Sequence, residues 1–213
     1  MKETGLMFKA PLVHAILSGQ KTQTRRLVKP QPAPGQGMVN AAYCGAPHLW
    51  LRDGHCSESD SAYEWRCPVG KHGDRIYVRE TFVQGYESDP ATGALCTSDE
   101  EGNEVPKTTW YRATDPGLTW SDDGESEVNT PWKPAIHMPK NLARIWLEVT
   151  GVRAERLQSI TRGDAMAEGC PFPNMADGAD PREWFAEVWK STGGDWVANP
   201  WVWAIDFKRI DKP

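Results

Sequence analysis

ILSGQKTQTRR, residues 16–26, decides how the rest of the chain is read. Upstream of it, Pro11 suits a first helical turn, and Leu12, Val13, Ile16 and Leu17 recur on one apolar side. A short helix is therefore expected to stop at Gly19. Downstream, the threonines favour an extended segment over residues 22–26. The two-residue repeat of a strand puts Thr22, Thr24 and Arg26 on one face and Gln23 and Arg25 on the other. Lys21 falls on the helix–strand junction, where a side chain can point into a cleft. With Lys29, four cations lie within residues 21–29.

Working outward, residues 27–70 read as mostly loop, rich in Pro and Gly. Gly73-Asp74 reads as a turn, and Ile76, Tyr77 and Val78 as a strand delivering Arg79 and Glu80. Residues 85–132 read as an insertion with little regular structure beyond a short strand at 108–112. PAIHMP, residues 134–139, is a rigid connector carrying His137. Ala143, Ile145, Leu147 and Val149 alternate with Arg144, Trp146, Glu148 and Thr150, the strongest strand pattern in the chain. Thr161 and Asp164 form a capping-box pattern for a short helix ending at Gly169. Asp180, Pro181 and Glu183 start a longer helix with Trp184, Phe185, Val188 and Trp189 on its apolar face, closed by Gly193-Gly194. Residues 201–210 alternate again. Trp203, Ile205 and Phe207 read as core, and Trp201 as core or as a platform for a base.

That order contains no strand–helix–strand repeat. It predicts an α+β fold: a small curled sheet or barrel with helices at its rim, as one domain over residues 1–213. Net charge is −5, unevenly spread. Residues 85–128 hold eleven acidic and two basic residues, a balance of −9, which leaves +4 on the remainder. This argues against a broad non-specific nucleic-acid binder and fits one nucleotide or a short single strand better than long duplex DNA. The N-terminus shows no apolar leader and no stretch approaches a membrane span, so with an odd count of five cysteines the expected setting is cytoplasmic and reducing. Cys44, Cys56 and Cys67, with His48, His55 and His72, include the ligand types of a zinc site. Their spacings are long and hold no Cys-x-x-Cys pair, so unligated thiols, and no cofactor, are expected. Cys96 and Cys170 stand alone, without a neighbouring histidine.

Several of these stretches together resemble the ASCH domain, of the PUA-like group, and in particular its larger prophage-encoded versions. The matching pieces are ILSGQKTQTRR at 16–26, CPVGKHGDRIYVRETF at 67–82, and PWKPAIHMPKNLARIWLEVTGVRAERLQSI at 131–160. EWFAEVWKSTGG at 183–194 and NPWVWAIDF at 199–207 complete them, 78 of the 213 residues. The resemblance implies a PUA-like small β-barrel with a cleft between barrel and helices, associated with RNA or modified-nucleoside recognition. Residues 27–70 and 85–132 then become two long insertions. Some small members are similar to amidohydrolases that deacylate N4-acetylcytidine, and others have been linked to ribonuclease activity. Carried over, the lysine after the helix–turn falls on Lys21, and the threonine three residues later on Thr24. The acidic residue of the helical segment after the central strand falls on Glu168, within DAMAEG.

Amide hydrolysis needs an activated nucleophile, a proton donor for the leaving amine and a group to hold the oxyanion. Lys21 serves if burial or nearby Arg25 and Arg26 favour its neutral amine. Glu168 then carries protons, and Thr24 donates to the oxyanion or orients the base. Arg25, Arg26, Arg79, Glu80, His137, Arg144 and Trp201 are the substrate-binding candidates. Arg79 offers a fork of donors for a phosphate or a base edge. Two other readings stay open at this level. One is a module that binds a nucleoside or short single-stranded RNA without chemistry. The other is a phage assembly or host-interaction protein that meets a protein partner through the acidic insertion.

Overall fold

The computed structural model describes residues 1–32, 37–41, 48–52, 66–89, 94–120, 129–171 and 180–213, with backbone alone for 37–41 and 48–52. In chain order the elements are β1 (Glu3–Met7), α1 (Ala10–Leu17), β2 (Gln23–Leu27), β3 (Gly37–Ala41), β4 (His48–Arg52), β5 (Arg75–Arg79), β6 (Phe82–Gly85) and β7 (Thr108–Tyr111). They continue with β8 (Trp146–Arg156), α2 (Arg162–Ala167), α3 (Pro181–Ser191) and β9 (Trp201–Ile210). The fold is mixed α+β. Five strands form one sheet in the order β1-β5-β8-β9-β2, and among the described residues this sheet is open, with β1 and β2 at its two edges. The pairs β3–β4 and β6–β7 stand outside it. None of the described helices is long and apolar enough to cross a membrane.

By its contacts the chain divides into two compact units. One comprises residues 1–4, 15–77 and 145–213, the other residues 5–14 and 78–144.

The spine of the first unit is the antiparallel pair β8–β9, running from Trp146↔Ile210 to Arg156↔Trp201. Alternation predicted a strand over 143–150; the observed strand starts later and ends later. Residues 140–142 form a 3-10 turn that delays its start. A register shift between Val149 and Gly151 then lets it continue to Arg156. Glycine makes room at that shift, since a Cβ on Gly151 would lie 3.0 Å from Asp206 Oδ2. Trp146, expected on a polar face, is buried together with Ile145 and Leu147. The strand lies inside the sheet, and Tyr77 on β5 packs its ring 5.8 Å from the Trp146 ring. Strands covered on both faces lose the simple in–out alternation.

Both C-terminal helices start as their sequences dictate. Thr161 and Asp164 close a reciprocal capping box on α2, and the Asp180 carboxylate accepts from Arg182 N at the start of α3. Their apolar sides meet the sheet in a cluster of Leu157, Ile160, Ala165, Phe185, Trp189 and Val202. Each large side chain buried there contributes roughly 1.5–3 kcal/mol by removal from water.

Residues 27–70, expected to be loop, contain the antiparallel pair β3–β4 with Gly37 opposite Arg52 and Ala41 opposite His48. In the second unit β7 falls where a short strand was expected, and its partner β6 pairs Phe82 with Tyr111 and Gly85 with Thr108. PAIHMP forms a 3-10 turn at Ala135–His137, and Met138 beyond it is buried.

Candidate functional site

Lys21 is set by main chain on both sides. α1 is followed by a turn at Gly19, whose φ of 77° is the left-handed conformation that glycine adopts without penalty. Lys21 N then donates to Ala15 O at 2.8 Å, and Thr22 N to Ala167 O at 2.8 Å, tying the junction to the ends of α1 and α2. The α2 end closes at Gly169, φ 97°. A Cβ there would meet Ala15 Cβ at 2.9 Å and Lys21 Cβ at 3.3 Å, so only glycine lets the helix end approach the lysine.

The side chain is enclosed, with Lys21 2% and Glu168 4% exposed. Lys21 Nζ donates to Gln23 O at 2.7 Å, Glu168 O at 2.8 Å and Glu168 Oε2 at 2.6 Å. Three acceptors match the three N–H bonds of an ammonium. Burial pulls the Lys21 pKa below the ordinary lysine range; the Glu168 charge and hydrogen bond oppose this, and Arg26 and Arg25 add to it. The short contact between Lys21 Nζ and Glu168 Oε2 gives a proton a direct path between the two groups.

Around it lies a wider ionic network. Arg25, buried, donates Nη1 to Glu168 Oε1 at 3.1 Å and Nε to Glu155 Oε1 at 3.0 Å, and its guanidinium lies 5.6 Å from the Phe185 ring centroid. The Gln23 amide donates to Asp164 Oδ1 at 3.0 Å and Asp206 Oδ1 at 2.6 Å, and its carbonyl accepts from Arg25. Arg153 donates to Glu155 at 3.0 Å, Asp164 at 2.7 Å and Asp206 at 3.0 Å. Burial pushes the Asp164 carboxyl up, but donation from the Thr161 hydroxyl and Gln23 amide and the Arg153 charge outweigh it and hold it down to about 2. Lys21, Arg25, Arg26 and Arg153 match Glu155, Asp164, Glu168 and Asp206 in number. Thr24 is buried on the face of β2 opposite Gln23 and Arg25, and its Oγ1 accepts from Arg26 Nη1 at 3.1 Å. The structure thus joins Lys21 and Glu168 directly and sets Thr24 and the half-buried Arg26 on the other side of the same strand.

The remaining candidates have internal partners or lie at the surface. The Arg79 fork donates to the carbonyls of Met138, at 3.1 Å, and Ile136, so it holds the 135–138 turn. Glu80, buried, accepts both arms of Arg144, at 3.0 and 2.8 Å. Arg144 also donates to Thr114 Oγ1 at 3.0 Å and lies 4.0 Å from the Tyr111 ring centroid. Its carboxylate is therefore Glu80 and not its strand neighbour Glu148, which takes Lys208 at 3.0 Å. His137 is exposed. Trp201 is half-buried with Arg156 stacked 4.8 Å from its ring centroid, and its indole N–H has no hydrogen-bond partner among the described residues. Of the zinc candidates, Cys44, Cys56, His55 and the His48 side chain lie outside the described residues. Cys67 is buried, which pushes its thiol up, and His72 is exposed. Among the described residues no three His, Cys, Asp or Glu side chains form a metal-holding group.

Sequence reasoning missed Gln23, Arg153, Glu155, Asp164 and Asp206 as members of the network. Arg153 and Glu155, two apart on β8, carried a usable signal; Asp164 was disguised by its capping role. A separate cavity of about 430 Å³ opens in the second unit, lined from residues 84–88, 95, 107, 110 and 118–120, and it contains none of the predicted site residues.

No family profile and no curated protein matches the chain. Solved structures similar to it include the crystal structure of an ASCH domain from Lactobacillus crispatus, with a TM-score of 0.38 and 11% identity over 99% of this chain and 81% of that one. They also include a DUF984-family protein from Enterococcus faecalis, with a TM-score of 0.36 and 12% identity over the same shares of the two chains.

Proposed function

We propose that the first unit binds a nucleobase, nucleoside or short single-stranded RNA beside β2 and hydrolyses an amide on an acylated cytidine. One observation carries the chemical part: a buried lysine with a lowered pKa in contact with a buried carboxylate. A lysine kept for phosphate binding stays charged and presents its donors outward. Lys21 does neither. The substrate class comes from the motifs at 16–26 and 67–82. Arg26 and Trp201, both half-buried, are the members of the predicted binding set in this unit that keep surface open to a ligand.

Substrate entry displaces one backbone acceptor of Lys21, and the Lys21 proton passes to Glu168. The neutral amine draws a proton from the attacking water while its oxygen bonds to the acyl carbon. Glu168 returns its proton to the nitrogen as the C–N bond breaks, leaving a carboxylic acid and the free amine. The test is incubation with N4-acetylcytidine, following cytidine release by chromatography, with Lys21→Ala and Glu168→Gln as folded-state-checked controls. Turnover that survives either substitution rejects the mechanism.

A second reading, a binding module without chemistry, is favoured by one observation: the Lys21 ammonium has its three donors met internally, and the surrounding charges balance. Measurable affinity for cytidine-containing RNA without any release of cytidine selects it.

A further inference from the structure

We propose that the cavity in the second unit is a binding site for a flat heteroaromatic ring, neutral or cationic, that carries no phosphate. Its volume, about 430 Å³, falls in the range of small-molecule sites, roughly 300–1,000 Å³. Its walls are aromatic. The Trp110 and Trp120 rings meet edge to face, with centroids 6.2 Å apart and planes at 89°, so they form the two sides of a corner. Tyr86 adds a third ring, with the Lys107 ammonium 5.3 Å from its centroid. All three residues line the cavity and are half-buried.

The backbone is shaped for this. A Cβ on Gly85 would come within 2.3 Å of Trp120 Cη2, so the absent side chain is what lets the indole lie against β6. A ring stacked on one indole meets the edge of the other, the arrangement aromatic quadrupoles favour.

Charge selects among flat rings. Glu87 and Lys107 in the lining cancel. The described residues of the segment that contributes the lining, 84–120, hold seven acidic and two basic residues, a balance of −5. Such a field disfavours an anion and favours a cation over the π faces. This site shares no residue with the Lys21 network, and the proposal stands apart from the hydrolase reading.

The test compares 7-methylguanosine, guanosine and guanosine monophosphate, which carry a cationic ring, a neutral ring and an added phosphate, by calorimetry on the full chain. Affinity is expected to fall in that order, with at least a tenfold gap between first and last. Trp120→Ala is expected to weaken binding of 7-methylguanosine by about tenfold, as loss of one stacking surface does. Should that variant lose structure by circular dichroism, Ser88→Trp fills the cavity from an exposed lining position and abolishes binding without touching the aromatic walls. Lys21→Ala leaves the affinity unchanged. The proposal is overturned if neither nucleoside binds, if the monophosphate binds as tightly, or if binding survives Ser88→Trp or depends on Lys21.

Discussion

At Lys21, burial and pairing pull a proton in opposite directions. Removing only one partner leaves the other charge enclosed, which typically costs about 3–5 kcal/mol. Lys21→Met is expected to lower stability by about 3 kcal/mol, since Arg25 still contacts Glu168, and Lys21→Met with Glu168→Leu to recover most of it in urea unfolding. A double variant no better than the single one contradicts the pairing. The pH dependence has a definite sign. Because the folded pKa lies below 10.5, the native chain releases this proton before the unfolded chain does. The cost of charging Lys21 is full below the folded pKa and shrinks as pH rises from there toward 10.5. Because Glu168 must hold that proton to release the amine, the hydrolysis rate falls over the same window, with its inflection below 10.5. Lys21 was marked by the glycine that ends the helix before it, and Glu168 by the resemblance of DAMAEG to the family's helical segment; the structure puts the two in contact. Arg144 with Glu80 was not, because the pair joins positions 64 apart whose sequence neighbours, Arg79 and Glu148, offered equally good charges.

Helix α2 is an element whose start and finish both touch the candidate site. Asp164 caps it and accepts from Gln23 and Arg153. Its carboxyl, held at about 2, contributes stability that is present above 3.8 and lost as pH falls toward 2. That contribution is at most on the order of 2 kcal/mol, and Asp164→Asn should flatten this part of the acid unfolding profile. Gly169→Ala is expected to destabilise by about 1–3 kcal/mol, from the left-handed backbone and the contact with Ala15 together; thermal unfolding measures it. Elements with two-sided punctuation were legible: α1, α2, α3 and β9 each begin or end on a capping residue, proline or glycine. β1 (ETGLM) has no alternation to read, and β3–β4 sits in a stretch whose prolines and glycines speak for loop. The bounds of β8 were misread because a register shift breaks its period.

Across the whole molecule, charge is the property most open to test. Net charge is −5 and the cations near β2 are matched by carboxylates. Single-stranded RNA should therefore bind with a shallow salt dependence, a log–log slope no steeper than about −2, which corresponds to two or three phosphates contacted. Filter binding from low to high salt measures it, and a slope beyond that value means a basic surface outside the network. Composition made the acidic segment visible. It did not reveal that Trp110 and Trp120 converge there, since their meeting depends on the pairing of β6 with β7 and on a bare glycine opposite.

The main-chain bonds from residues 21 and 22 to the ends of α1 and α2 do not involve the lysine side chain at all. Shortening that side chain therefore leaves its outline behind as a vacant slot, still rimmed by oxygen atoms. A small primary amine such as propylamine, supplied in solution, should enter the slot in Lys21→Ala and restore both thermal stability and any lost turnover, whereas propanol of similar size should restore neither.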